Sequence, residues 1–181
     1  DFERYNNLSP DRPFQTWVDG YGYSADEFFS VGYGGNGTGA GIGHDIWSLS
    51  SPYYDGDIME TVITIPGSGQ SMPFYYANSG GVASETERTF AVPQNWAVNG
   101  IKTLVIHVFG AQGNTGQLYL KINNTKIVVM SDVVDIQKAG WQQWPIDLST
   151  VAGNIENVTS LTLGVEGAAA SGLLYIDDIS L

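Results

Sequence analysis

The chain has 181 residues, among them 23 Gly and no Cys, and its 19 Asp and Glu against 7 Lys and Arg give a formal net charge of -12. This length fits one domain, residues 1–181, with a core of its own. The acidic balance argues against nucleic acid and anionic membrane surfaces as partners, and the lack of Cys excludes disulfides and thiol chemistry.

The first long segment, residues 8–57, is rich in Gly and aromatic residues and shows little alternation of polar and apolar positions. About fifty residues without clear strands are unusual in a compact domain. Long irregular segments of this kind often carry function. We therefore expect residues 8–57 to contain the part of the protein that recognises a ligand.

The rest of the chain alternates in short runs that are separated by turn residues, which predicts strands. The predicted strands cover residues 59–65, 71–77, 87–92, 102–109, 117–122, 126–130, 142–148, 160–165 and 173–180. A short helical turn is predicted at 93–98 or 148–153, where Ser149 is placed to cap it. Nine short strands with no long amphipathic helix indicate an all-β, two-sheet antiparallel β-sandwich.

The alternation within strands assigns side chains to faces. Aliphatic faces predict the core, and the opposite faces predict an outer surface. The predicted core positions include Leu104, Ile106, Val108, Trp17, Phe28, Trp96 and Trp144, and the predicted outer positions include His107, Phe109, Tyr119 and Tyr75.

The last nine residues, 173–181, read as a strand with Tyr175, Asp177, Ile179 and Leu181 on one face. Since Ile179 and Leu181 are apolar, we expect Asp177 to be buried with them. A buried carboxylate needs a partner or a cation, because its desolvation alone costs several kcal/mol or more. Near the start, Glu3 follows Phe2, which we also expect in the core. An acid beside a core residue at each end predicts that a calcium ion joins the first and last strands into one closed unit.

These two ends carry a family resemblance. The Phe-Glu pair at 2–3 and the YIDDISL run at 175–181 resemble the first and last strands of jelly-roll carbohydrate-binding modules of secreted bacterial polysaccharide-degrading enzymes. The runs TWVDGY (16–21), GQSMPFYY (69–76), SETERTF (84–90) and WQQWPIDL (141–148) look like a segment that recurs in large extracellular bacterial proteins. The resemblance implies a jelly-roll sandwich that is secreted, lacks catalysis and binds a glycan beside parent enzyme or surface domains.

The predicted cofactor is a structural calcium ion. Calcium takes several carboxylate and carbonyl oxygens, and Glu3 and Asp177 are the natural side-chain donors. In the family that the chain resembles, a third acid precedes a Gly-x-x-Ser run, and Glu60 matches that position. The alternative is that Glu3 or Glu60 is simply solvated, or pairs with Arg4 or Lys102.

The predicted partner is a polysaccharide or oligosaccharide. The C–H faces of a sugar pack on flat aromatic side chains, while polar groups bind its hydroxyls. The candidate ligand-binding residues are Trp47, Tyr53, Tyr54, Tyr75, His107 and Trp141. The acidic composition favours neutral glycans over anionic ones.

Two alternatives remain open. One is an adhesion or spacer domain that uses the same fold for contacts with proteins. The other is a glycosidase, because the run DGDIME at 55–60 resembles the Glu-x-Asp-Ile-x-Glu strand of laminarinase-like retaining enzymes, whose two acids lie roughly 5–5.5 Å apart. Here Asp55 is one methylene shorter than the nucleophile of that family, so we expect no catalysis.

Overall fold

The computed structural model describes residues 1–129, 135–151 and 154–181. These ranges contain one short helix, α1 (Pro13–Thr16), and two 3-10 turns, Val98–Gly100 and Leu148–Thr150. They also contain the strands β1 (Trp17–Val18), β2 (Ala40–Ile42), β3 (Met72–Ala77), β4 (Ser84–Gln94), β5 (Thr103–Phe109), β6 (Gln117–Ile122), β7 (Thr125–Val129), β8 (Trp141–Asp147), β9 (Val158–Glu166) and β10 (Ser171–Ser180).

The strands form two five-stranded antiparallel sheets. The first sheet has the order β1-β4-β9-β6-β7, and the second has the order β2-β3-β10-β5-β8. From β3 to β10 the chain passes repeatedly from one sheet to the other, so most neighbours within a sheet are distant in sequence, and the β6–β7 hairpin is an exception. The predicted all-β fold with two antiparallel sheets is confirmed.

The core lies between the sheets and follows the predicted alternation. Leu104, Ile106 and Val108 of β5 are at most 1% exposed. Trp17, Trp96 and Trp144 are also buried as predicted. The prediction for Phe28 is wrong, because its side chain is 55% exposed. Asp26 Oδ1 accepts hydrogen bonds from the Phe28 and Phe29 N–H groups, which turns the backbone there and directs Phe28 outward.

The predicted strand 59–65 is wrong. Glu60 forms only an isolated bridge with Ser71. The Glu60 carboxylate then accepts hydrogen bonds from the N–H groups of Val62 and Ile63, at 2.6 and 3.0 Å, and these bonds close a tight turn. A side chain that satisfies backbone donors in this way competes with strand pairing.

Smaller differences have similar local causes. The 3-10 turn at Leu148–Thr150 is capped by the Asp147 side chain, which accepts from the Ser149 N–H, and not by Ser149. The short strands β1 and β2 were not predicted, since two or three residues give too little alternation to detect. Met130, at the end of a predicted strand, lies outside the described residues, and so does part of the predicted turn at 148–153.

Tyr119 was predicted on the outer surface but is only 2% exposed. Its ring lies over Gly164 of β9, where an added Cβ would stand 2.3 Å from a ring carbon. Its hydroxyl donates a short hydrogen bond to Glu85. Because Gly164 has no side chain, the Tyr119 ring can lie against β9, and it is buried there on the face of the sheet away from the core.

The C-terminal strand buries Asp177 completely, as predicted, but for a different reason. Leu174 and Ile176 point into the core, so Asp177 lies on the opposite face of β10. The register shifts between Asp177 and Ser180, and Asp178 has a φ of 40°. This bulge breaks the alternation and leaves Leu181 47% exposed.

No helix within the described ranges is long and apolar enough to cross a membrane.

Candidate functional site

A cleft of ≈ 830 Å³ lies over the edge of the second sheet, on the side away from the core. Its floor includes Gly41 of β2 and Tyr75 of β3, which are cross-strand partners. Among the described residues, Tyr75 is the one lining residue outside residues 12–53. The structure thus places the cleft in the irregular segment that the sequence singled out.

Exposed aromatic rings form the walls of the cleft. Trp47 is 63% exposed, Tyr53 46% and Tyr21 81%. The Trp47 ring is supported by Phe14, with ring centroids 6.1 Å apart, and by the Arg12 guanidinium 5.6 Å from its centroid. The cleft therefore offers flat apolar faces that are fixed by neighbouring side chains.

Asp19 fixes the backbone of the cleft. Its carboxylate is 2% exposed and accepts three backbone hydrogen bonds, from Tyr21 at 3.0 Å, Gly22 at 2.8 Å and Ile42 at 2.8 Å. Desolvation raises the pKa of Asp19, and the three N–H donors oppose that shift. The role of Asp19 is therefore to hold the loop after β1 against β2.

A buried chain of hydrogen bonds lies beneath the cleft. His44, which is 2% exposed, has Nδ1 2.6 Å from the Tyr75 hydroxyl and Nε2 3.2 Å from Glu60 Oε2. The Tyr53 ring stacks on the imidazole, at 17° between planes and 5.7 Å between centroids. Desolvation above all raises the pKa of Tyr75 well above its ordinary value, so its phenol stays protonated at neutral pH.

The six predicted sugar-binding residues do not converge on one site. Trp47, Tyr53 and Tyr75 line the cleft, and Tyr54, His107 and Trp141 do not. His107 Nδ1 lies 3.3 Å from the Asp178 carbonyl. Trp141 packs edge-on against Phe109, at 5.6 Å. His107 lies in β5 and Trp141 in the edge strand β8, on the opposite side of the sheet from β2.

Glu3 and Asp177 lie next to each other around Ser68. The Ser68 hydroxyl donates to Glu3 Oε1 at 2.5 Å. Desolvation above all raises the pKa of Asp177, Ser68 and the Asp178 N–H oppose that shift, and the charges of Asp178 and Glu3 add to it. Asp177 Oδ2 is buried and has no hydrogen-bond partner among the described residues. An orphaned buried carboxylate oxygen beside a second acid fits a hard cation such as calcium.

Glu60, the third predicted calcium ligand, has its carboxylate bound to His44 and to two backbone N–H groups. Within the described ranges, no three side chains of His, Asp or Glu form a cluster suited to a metal ion. Glu3 and Asp177, with Ser68 between them, are the predicted site residues that the structure brings together, and the metal role of Glu60 stays a prediction.

Sequence reasoning missed Arg12, Asp19, Tyr21 and His44 as cleft residues. The Asp-Gly pair at 19–20 is a turn signal that points to Asp19, because Asp often accepts from backbone N–H groups just after it. No comparable signal marks His44. Its contacts with Tyr75 and Glu60 span 31 and 16 residues, and they depend on the folded arrangement.

No protein-family model matches the chain, and no curated protein matches it either. Solved structures do match. One is a family 30 carbohydrate-binding module of a cellulosomal cellulase of Clostridium thermocellum, at 14% identity over 67% of this chain and 78% of that one, with a TM-score of 0.52. A second family 30 module matches at 15% identity over 67% and 79% of the two chains, also with a TM-score of 0.52. An exo-β-agarase matches at 14% identity over 67% of this chain and 22% of that one, with a TM-score of 0.54.

The chain has the β-sandwich fold of carbohydrate-binding modules. At 14 to 15% identity the likeness concerns the fold. It agrees with the resemblance of the two ends of the sequence to such modules.

Proposed function

We propose that this protein is a non-catalytic polysaccharide-binding module, and that the glycan occupies the cleft. The observation that carries the proposal is the pair of exposed rings, Trp47 and Tyr53, on the walls of a preformed cleft over a β-sheet edge. The volume of the cleft, ≈ 830 Å³, falls within the range of about 300–1,000 Å³ that is typical of ligand sites.

The chemistry of the cleft suits a sugar. Aromatic faces bind the C–H faces of pyranose rings, and the polar groups between them bind hydroxyls. Arg12, Asp26 and Asp45 line the cleft beside the aromatic walls and supply such groups. Since carboxylates outnumber cations here, a neutral glycan suits the cleft better than an anionic one.

A structural calcium ion belongs to the proposal. Glu3 and Asp177 would hold it, together with oxygens of the 68–70 turn. The Ser68 hydroxyl and the Gly69 N–H already bind Glu3. Such an ion would neutralise the buried Asp177 and join the two termini to that turn. It supplies charge neutralisation and takes no part in glycan chemistry.

The module would act as part of a larger secreted enzyme or surface protein. One weak binding site gains effect when it raises the local concentration of a linked domain on its substrate. The alternative acid pair is poorly arranged for catalysis. Asp55 is exposed and its carboxylate accepts from the Asp57 N–H, whereas Glu60 is buried against His44.

The test is binding to immobilised and soluble glycans, with thermal shift and reducing-sugar release measured on the same samples. We expect the wild type to bind at least one of barley β-glucan, laminarin, galactomannan, arabinoxylan and agarose, without release of sugar. Trp47→Ala and Tyr53→Ala should each weaken binding by about tenfold or more, the loss that a central aromatic contact causes. Trp141→Ala, outside the cleft, should bind as the wild type does. Loss of binding in Trp141→Ala alone would move the site to the β5–β8 edge, and release of sugar would overturn the non-catalytic assignment.

A second candidate function is adhesion to another protein or a spacer role. Exposed aliphatic side chains favour it, because Leu8, Val31, Leu49 and Val62 are 71–83% exposed. Such side chains suit a protein surface better than a sugar. If no glycan in the panel binds while the protein remains folded, this candidate replaces the first.

A further inference from the structure

In the buried chain of hydrogen bonds Glu60–His44–Tyr75, the chemistry of each group decides which atom donates and which accepts. Glu60 Oε1 accepts from two backbone N–H groups, and Oε2 faces His44 Nε2 at 3.2 Å. An ionised carboxylate only accepts hydrogen bonds, so Nε2 must carry the proton and donate. In the neutral ring the other nitrogen, Nδ1, is then an acceptor.

The consequence reaches the cleft through Tyr75. Its hydroxyl lies 2.6 Å from Nδ1 and must donate its one hydrogen there. The phenol oxygen is left with its lone pairs, and Tyr75 lines the cleft. The floor of the cleft therefore accepts hydrogen bonds and does not donate them at this point.

We propose that Glu60 and His44 fix Tyr75 as the acceptor for one hydroxyl of the bound glycan, which makes Tyr75 a specificity-determining residue of the cleft. This inference rests on the proposed function, since it assumes that the cleft binds a sugar. As an acceptor, Tyr75 selects ligands that present an O–H or N–H group at the floor of the cleft. A carboxylate or sulfate at that position is repelled, because it faces the lone pairs of the Tyr75 oxygen and, behind them, the Glu60 carboxylate.

The second histidine provides an internal reference. Gln143 Nε2 lies 3.1 Å from His107 Nε2, and His107 Nδ1 lies 3.3 Å from the Asp178 carbonyl. An amide nitrogen donates and a carbonyl accepts, so His107 carries its proton on Nδ1. The two histidines of this protein should therefore be opposite tautomers.

The substitution Glu60→Gln changes the side-chain volume little but reverses donors and acceptors along the hydrogen bonds from residue 60 to Tyr75. The carbonyl of the new amide takes over the two backbone N–H groups, and its NH₂ donates to His44 Nε2. His44 Nδ1 then carries the proton and donates to Tyr75, whose hydroxyl hydrogen turns into the cleft. The floor changes from acceptor to donor.

The experiment combines imidazole ¹⁵N NMR at mildly alkaline pH with binding to the neutral glycans named above and to alginate and carrageenan. We expect His44 to be protonated on Nε2 and His107 on Nδ1 in the wild type, and His44 to change tautomer in Glu60→Gln. Tyr75→Phe and Glu60→Gln should each weaken neutral-glycan binding roughly threefold to tenfold, the worth of one hydrogen bond. The double variant should bind no worse than Tyr75→Phe alone. Tyr54→Phe, a tyrosine outside the cleft, should bind as the wild type does.

The failures of the two proposals are distinguishable. If a neutral glycan binds and Trp47→Ala abolishes binding, but Tyr75→Phe and Glu60→Gln bind normally, the cleft is the site and this inference is wrong. Tighter binding of alginate or carrageenan than of every neutral glycan also overturns it. If His44 is protonated on Nδ1 in the wild type, the inference fails whatever the glycan result. If nothing binds, the proposed function fails, and the role of Tyr75 fails with it.

Discussion

Asp19 Oδ2 accepts a hydrogen bond from the Ile42 N–H at 2.8 Å, and this bond joins the end of β1 in the first sheet to β2 in the second. The other carboxylate oxygen accepts from Tyr21 and Gly22. One buried side chain therefore sets both the edge of the sandwich and the backbone of the cleft.

Asp19→Asn should destabilise the fold and weaken glycan binding. An amide has a single acceptor oxygen, so its NH₂ must face either Ile42 or the Tyr21–Gly22 pair and leave a buried N–H unsatisfied. We expect a loss of about 1–3 kcal/mol in the free energy of unfolding, measured by urea denaturation. Asp135→Asn is the control, because Asp135 is exposed, lies outside the cleft, and among the described residues its side chain accepts from the Gln137 N–H alone. Equal stability of the two variants would contradict the role of Asp19.

The sequence predicted the fold better than the cleft, for a physical reason. Alternation in β5 and β8 reports directly on burial, so Leu104, Ile106 and Trp144 were placed correctly. The strand predicted at 59–65 failed because the Glu60 side chain satisfies backbone donors two and three residues ahead. Periodicity does not register such a local bond.

The site was predictable as a segment and not as a set of residues. Composition singled out residues 8–57, and the cleft lining falls between 12 and 53 apart from Tyr75. His44 reaches its partners only through contacts between distant parts of the chain. Asp177 was predicted to be buried because alternation places it on one face with Ile179 and Leu181. The bulge after Asp177 breaks this alternation, so Asp177 is buried as predicted but not for the reason given.

Calcium should stabilise the protein through Glu3 and Asp177. At a calcium concentration about 100 times the Kd the gain is ~2.7 kcal/mol, or about 5–10 °C in Tm for a domain of this size. We expect EDTA to remove this shift, and Asp177→Asn and Glu3→Gln to lose most of it. Glu60→Gln decides the third ligand. A full calcium shift in that variant assigns Glu60 to the His44 pair alone, and a lost shift makes it a ligand.

The pH dependence of the calcium-free protein should reveal Asp177. Desolvation, with the charges of Asp178 and Glu3, holds the folded-state pKa of Asp177 above its ordinary value. Between the unfolded and the folded pKa, the folded state binds more protons than the unfolded state, so stability falls as pH rises through that window. In EDTA, the wild type should therefore gain stability relative to Asp177→Asn as the pH is lowered from neutral into that window.

Saturating calcium should reverse this trend. A calcium ligand must be deprotonated, so protons compete with the ion and acid removes its stabilisation. Melting curves of the wild type and Asp177→Asn, recorded against pH in EDTA and in calcium, measure both slopes. A difference between the two proteins that does not change with pH in EDTA would contradict the prediction, because it would show that Asp177 has the same pKa in the folded and unfolded states.

Gly164 of β9 should be intolerant of a side chain. An added Cβ would lie 2.3 Å from a carbon of the Tyr119 ring and 2.5 Å from its hydroxyl oxygen. Tyr119 is held by its bond to Glu85, which also pairs with Lys121 at 2.5 Å, so the ring is not free to move aside. Gly164→Ala should therefore cost about 1–3 kcal/mol, whereas Gly34→Ala should stay within about 0.5 kcal/mol, because nothing lies within 4 Å of its added Cβ. Urea denaturation of both variants measures the contrast, and equal stability would mean that Tyr119 leaves its place over β9 without cost.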